Sequence, residues 1–592
     1  MTDHPVSITS AARLSLADAG PAFDAAVEHA RTDEWATRLF DRDVTLWSTD
    51  PRVGGAIADR LGWLDAPVEF ADRIAALEGF GDAIVDQGFQ TVVVAGMGGS
   101  SLAPDVLRLT FGSQEGYPDL RILDSTDPEY VAAVFDDLDP LKTLVLIASK
   151  SGTTTEPNAF LAYAWRRVHD ALDAVGHRVY ESPGAFIAAI TDPGKSVDAI
   201  AHHDEFREVF LNPPDIGGRY SALTYVGLVP ASVIGLDLDA LLASANAMLG
   251  ACREPDPRVN PGVSLGLAIG TLARAGRDKL TFLADDAIAS FGAWAEQLIA
   301  ESTGKRGVGI VPVDLEPQGA VAAYGSDRAF VRLTLDGSED RASDELVADL
   351  EAAGQPVIRI GIRDPMDLGG EFVRWEVATA IAGVVLGIDP FDQPNVEEAK
   401  QLTRDVLERH GARKADEPAE PEPIATGDGL TLFGDAALRL TSSDGGLASE
   451  LARHLARRRP TAYLALQAFI APTSGRDEAL ARIRSLLRDR TGRATTAGYG
   501  PRFLHSTGQL HKGGAPIGWF LQLTAGHLAD RGIPGWPYTF GELIDAQASG
   551  DFAAIEAHDL PILRVHLGDD PDVGLEALER ALVTALDTPT EA

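Results

Sequence analysis

The sequence predicts an α/β protein with two doubly wound parallel sheets and a smaller third α/β unit. Continuous apolar runs, Thr91–Gly96 and Thr143–Ala148, each lead through a glycine- or hydroxyl-rich loop into helical text. Such runs, alternating with helices, suit a parallel sheet covered on both faces. The alternation returns beyond residue 260. The chain's 592 residues exceed what one core accommodates, so two to four domains are expected.

Residues 1–88 read as a helical N-terminal layer, with apolar residues at helical spacing around Ala58–Leu64 and Phe70–Phe80. Residues 89–255 form the first α/β domain, with helices expected from about Ala103 and Glu156. The second, 256–410, carries strands at Leu280–Ala284, Phe330–Leu335 and Val357–Ile362 and a helix through Gln297. Residues 411–427, rich in proline and acid, read as an extended linker. The C-terminal α/β domain, 428–592, has strands at Ala462–Phe469, Trp519–Thr524 and Ile562–Leu567 and a helix at Asp477–Asp489.

Composition narrows the function. A net charge of −37 disfavours nucleic-acid and anionic-membrane partners, which need clustered Lys and Arg. No run of 18 apolar residues occurs and the first residues lack a secretory profile, so a cytoplasmic protein is expected. The single cysteine, Cys252, builds neither an internal disulfide nor a zinc site by itself and reads as a small buried residue. An anionic ligand has to be held by local devices: helix N-termini, hydroxyls and a few placed cations.

Two loops offer such devices. Gly96-Met97-Gly98-Gly99-Ser100-Ser101 follows a strand and precedes a helix, but Ser101 stands where a dinucleotide fingerprint has its third glycine, which disfavours NAD. In the second loop Ser149, Ser151, Thr153, Thr154 and Thr155 surround Lys150. Five hydroxyls exceed what capping one helix requires. Further along stand Gly217-Gly218-Arg219-Tyr220-Ser221, where glycines let an arginine approach a ligand, and Gln297-Leu298-Ile299-Ala300-Glu301-Ser302-Thr303-Gly304-Lys305, an apolar approach to a carboxylate. Gln297 lies one turn before Glu301, on the same helix face. A third block, Phe391-Asp392-Gln393-Pro394-Asn395-Val396-Glu397-Glu398-Ala399-Lys400, ends on a lysine. A carboxylate base, a fixed cation and an acid/base group are what proton transfer between two carbons of a sugar phosphate needs.

In their order these blocks resemble the signatures of the phosphoglucose isomerase family: G-G-R-[FY]-S, E-S-x-G-K and F-D-Q-x-x-V-E-x-x-K. Pro394-Asn395 replaces the usual residue plus glycine. The resemblance implies sugar isomerase (SIS) domains for the two larger units. It implies reversible interconversion of glucose 6-phosphate and fructose 6-phosphate through a cis-enediol, without metal or other cofactor, in glycolysis and gluconeogenesis. It also implies roles: Glu301 as base, Arg219 as the cation for the enediolate, Lys400 at the ring oxygen, Gln297 and Gln393 on the sugar, and Gly99, Ser100, Ser149, Lys150, Ser151 and Thr154 around the phosphate. The family's histidine is absent from residues 301–400. A block at His505-Ser506-Thr507-Gly508-Gln509-Leu510-His511-Lys512-Gly513 resembles the family's H-x-x-x-Q-L-x-H-x-G pattern with one residue missing, making His505 the first choice and His511 the second. This block, with Gly535–Gly541, looks like the C-terminal part of transaldolase/phosphoglucose isomerase fusions. Dual glucose/mannose specificity, a residual transaldolase-like activity, a non-catalytic sugar-phosphate sensor, and a homodimer sharing the site across subunits stay open on sequence alone.

Overall fold

A strand with no exposed position needs cover on both faces, and Thr91–Gly96 and Thr143–Ala148 receive it as adjacent central strands of a five-stranded sheet. The computed structural model describes residues 11–176, 182–395, 401–407, 422–441 and 445–588. This first sheet is wholly parallel, ordered Asp119–Leu123, Thr91–Gly96, Thr143–Ala148, Ile187–Thr191, Glu208–Leu211. The chain leaves Thr91–Gly96 towards one edge and returns on its other side, so the strand order reverses between Gly96 and Ala148, which are register partners. In open α/β sheets, ligands bind outside the carboxyl ends of strands at such a reversal. Both ligand loops flank it.

The second sheet runs Arg13–Ser15, Val357–Ile362, Arg328–Leu335, Lys279–Ala284, Val311–Val313. Its first strand is antiparallel and comes from the segment expected to be helical; three residues at an edge leave too short a pattern to distinguish from a helix. The third sheet has six strands, with Leu430–Gly434 antiparallel to Ile562–His566 and the remaining core strands parallel. Ala425–Gly427, expected in the linker, pairs with Leu430–Gly434, while residues 411–421 lie outside the described set. Cys252 is buried, and burial pushes its thiol up to about 12. Among the described residues no helix is long and apolar enough to cross a membrane.

Helix Phe291–Thr303 carries Glu301, packs on helices Leu368–Leu386, Gly99–Phe111 and Gly508–Gly513, and is buried over nearly its whole surface. The C-terminal unit docks on the neighbouring segment Asp314–Glu316 through buried polar contacts. Glu316 pairs with Arg328 at 2.9 Å and accepts from the Thr495 N–H at 2.7 Å, while Arg484 donates to the carbonyls of Asp314 and Leu315 at 2.8 Å each. Arg502, paired with Asp105 and Asp124, holds the turn Arg502–His505 at the carboxyl edge of the first sheet.

Candidate active site

At the strand reversal lies a cleft of about 1160 Å³. Its lining includes Gly99, Ser100, Ser149, Lys150, Ser151, Thr154, Arg219, Gln297, Glu301, Gln393 and His505, so the structure gathers eleven of the thirteen expected site residues. Lys400 lies outside the described residues. His511 is the other exception, and its surroundings are given below.

Beyond strand Thr143–Ala148, the Ser149 hydroxyl donates to Thr154 Oγ1 at 3.2 Å, and the Ser151 and Thr153 hydroxyls are 2.9 Å apart. Thr154 is the N-cap of helix Thr155–Val175, yet its side chain accepts no cap hydrogen bond. The hydroxyls therefore satisfy one another at the positive end of a helix of 21 residues, an arrangement that can open towards an anion. Lys150 turns instead to Asp192 and the Pro214 carbonyl, the latter at 2.9 Å. It braces the loop while lining the cleft, and burial pulls its ammonium below the ordinary lysine range against the opposing pull of Asp192.

The glycines of the first loop serve close packing of three chain segments. Gly98 has φ +55°, and a Cβ there would fall 2.5 Å from the His505 carbonyl oxygen and 2.9 Å from Gln297 Nε2; one on Gly99 would fall 2.2 Å from the Gly218 carbonyl oxygen. Sequence alone suggests close approach to a ligand. The glycines also admit the arginine block and the histidine block to the same corner.

Arg219 is 2% exposed and all its nitrogens are engaged. Nε donates to Ser302 Oγ at 2.8 Å, Nη1 to Gln393 Oε1 at 2.8 Å, and Nη2 to the carbonyls of Pro390 and Asp392 at 2.7 and 3.0 Å. Nη1 also lies 3.2 Å from Glu301 Oε1. The other carboxylate oxygen, Oε2, accepts from Gln297 Nε2 at 3.1 Å, and that amide also donates to the His505 carbonyl at 2.8 Å. The carboxylate is thus buried beside a cation and fixed in direction by an amide one helical turn away. Lys305, the lysine closing the same block, donates to the Asp389 carbonyl at 2.8 Å and pairs with Asp392 at 2.7 Å. Burial and the neighbouring Arg219 guanidinium push it down to about 8. It pins the loop that carries Gln393.

His505 ends the turn Arg502–His505, which Arg502 ties to Asp105 at 2.9 Å and Asp124 at 3.1 Å. Its Nε2 lies 3.1 Å from Glu156 Oε1, and Glu156 also accepts from Gln547 Nε2 at 2.7 Å. An imidazole at the cleft with a buried carboxylate behind it is equipped to pass protons. His511 lies instead on helix Gly508–Gly513 among the rings of Phe520, Phe503 and Tyr463, at 5.0, 6.0 and 6.2 Å. It is not among the residues lining the cleft. Burial drives its ring well below the ordinary histidine range. Sequence reasoning also passed over Glu156, Lys305, Arg502, Gln509 and Gln547; the first stands directly after the hydroxyl run, and Lys305, Arg502 and Gln509 stand inside or beside the quoted blocks.

A hydroxyl-rich loop, a carboxylate against a guanidinium, and a histidine–carboxylate pair in one cleft are groups suited to acid/base chemistry on an anionic ligand. The family model described as phosphoglucose isomerase matches residues 58–329. Glucose-6-phosphate isomerases from Heliobacterium modesticaldum and Lactobacillus helveticus are 30% and 31% identical over 420 and 416 residues, covering 90% and 91% of those proteins and 61% and 62% of this chain. The crystal structure of a hypothetical protein from Thermus thermophilus superposes with TM-score 0.55 and 26% identity, covering 99% of that chain and 67% of this one. The chain belongs to the phosphoglucose isomerase family and is an aldose–ketose isomerase.

Proposed function

We propose that the protein interconverts glucose 6-phosphate and fructose 6-phosphate by proton transfer, with Glu301 as base. The observation that carries this reading is the Arg219–Glu301 contact of 3.2 Å within the same cleft as the His505–Glu156 pair and the hydroxyl loop. The phosphate sits among Ser149, Ser151 and Thr154 at the N-terminus of the helix they precede, with Gly99 and Ser100 at the start of the other cleft helix. His505, backed by Glu156, and Lys400 move the proton between the ring oxygen and the C1 hydroxyl as the ring opens. Glu301 then takes the C2 proton and returns it at C1. Arg219 favours the negative charge that builds on the enediolate oxygens, in a setting where water no longer screens it. Gln297 and Gln393 hold the sugar hydroxyls.

A homodimer is admitted by the reading without being required for it. The site of action is the cytoplasm, and the partner is the sugar phosphate. A transaldolase-like step in the C-terminal unit has no support: Lys512 is its only lysine, and it is held by Asp551 at 2.8 Å with 1% of its side chain exposed. A Schiff-base lysine needs a free amine reachable by a carbonyl. The test is a coupled assay of fructose 6-phosphate conversion in EDTA. Turnover that survives the chelator is expected. Binding of the sugar phosphate without turnover would make the protein a sensor, and turnover abolished by EDTA would bring a metal into the reaction.

A further inference from the structure

Gln509 belongs to the histidine block, yet none of the chemistry above uses it. Its side chain is completely buried. Nε2 donates to the Gly304 carbonyl at 2.9 Å and to Asn395 Oδ1 at 2.9 Å, and Oε1 accepts from the Asn395 N–H at 2.9 Å. One carboxamide thus joins three segments distant in sequence: the C-terminal turn of the Glu301 helix, the loop carrying Gln393, and the segment that presents His505. The space around it fits this amide closely, since a Cβ on Gly513 would lie 2.4 Å from Gln509 Nε2 and 2.5 Å from Asn395 Oδ1.

The connection onward is short. Asn395 is two residues from Gln393, with Pro394 between them restricting the backbone. Gln393 Oε1 accepts from Arg219 Nη1 at 2.8 Å, and the same nitrogen faces Glu301. At its other end the histidine segment is held to the Glu301 helix by the bond from Gln297 to the His505 carbonyl, at 2.8 Å. The helix turn bearing the base is therefore clamped to the histidine segment before and after Glu301.

We infer that Gln509 is a positioning residue, which fixes the Gln393 loop and the histidine segment relative to Glu301 and so sets the registration of acid, base and cation. This rests on the functional reading above. Loss of the amide should misplace reacting groups without removing any of them, and misplacement by about 1 Å can cost about two orders of magnitude in rate.

Gln509→Met keeps length and volume and removes all three bonds; Asn395→Ala removes the Asn395 Oδ1 acceptor from the partly buried side. Parental turnover of fructose 6-phosphate is measured first, because its absence refutes the functional reading and leaves Gln509 aside. Given an active parent, kcat of Gln509→Met is expected to fall about tenfold or more with the pH–rate profile unmoved, since no titrating group is lost. The double variant should lose no more than Gln509→Met alone, the two residues acting through one connection. Asn395→Asp, which keeps an acceptor oxygen, should regain most of what Asn395→Ala loses. Parental kcat in Gln509→Met overturns the proposal, as do additive losses in a double variant that keeps the parental melting temperature. Should Gln509→Met fail to fold, the decision passes to Asn395: parental kcat in Asn395→Ala, or no recovery in Asn395→Asp, overturns the proposal.

Discussion

His505 and His511 lie on one short segment and meet opposite surroundings. His505 presents its ring to the cleft with Glu156 3.1 Å behind it, whereas His511 is enclosed by three aromatic rings with a single long contact to Gln467 at 3.4 Å. The difference arises because the turn Arg502–His505 is tied down by Arg502 to Asp105 on helix Gly99–Phe111 and to Asp124 after strand Asp119–Leu123, while the helix after it packs on the third sheet. A histidine's role is decided by what stands behind it and what can reach it. Sequence pattern alone left the two as first and second choice.

The comparison breaks most sharply if the base is elsewhere. Glu301→Gln keeps shape but cannot accept the proton, and kcat should drop by about three orders of magnitude with affinity held within a few-fold. Near-parental kcat in a folded variant removes Glu301 from the scheme and weakens the case for His505 with it. Next in size, His505→Ala should cost about a hundredfold in kcat and Glu156→Gln about tenfold, because the second leaves the imidazole but removes its ionic partner. A Glu156→Gln variant as fast as the parent would reduce that contact to packing. Mixing Glu301→Gln and His505→Ala chains after subunit exchange should restore no activity, since both groups enter one cleft from the same chain; recovery of turnover would mean the histidine crosses between subunits.

Ser149→Ala with Thr154→Ala should act on KM, raising it about tenfold for the sugar phosphate while kcat changes little, as expected for lost hydrogen bonds to a charged group. Unchanged inhibition by inorganic phosphate would displace the cradle. The smallest effect on turnover belongs to His511. Replacement by Ala should leave kcat near parental and cost about 2–4 kcal/mol of stability through the cavity it opens. The ring's pKa is depressed in the folded protein, so the unfolded chain binds the proton first, and stability is lost as pH falls below the ordinary value of 6.5. His511→Phe should therefore flatten the acid side of the stability profile; an unaltered profile would mean the ring is not excluded from protons.

Legibility in the sequence followed the length of the pattern. Thr91–Gly96 and Thr143–Ala148 were readable because six consecutive residues of each belong in a two-sided core. Arg13–Ser15 and Val311–Val313 were not, because three residues carry no period. Arg219, Glu301 and Gln393 were found through blocks whose spacing is itself a pattern. Glu156 was missed because a single glutamate at a helix start has an ordinary explanation in the helix dipole, and its partnership with His505 spans 349 positions. Lys150 was found, but its bond to Asp192 across a neighbouring strand end has no sequence signal. Gln509 stood inside a quoted pattern and was still unread, since an amide's task is known only from the three groups it joins.

The bond between Gln297 and the His505 carbonyl closes a separation of 208 residues, and Gln509 to Gly304 one of 205. A ribosome delivers the base, the cation and the hydroxyl loop well before the histidine segment emerges. Until then the corner at Gly98 lacks the His505 segment, and on the proposed reading a nascent chain has base and cation without the histidine, however well its first two sheets have formed. On that reading competence waits for these two long-range contacts to close.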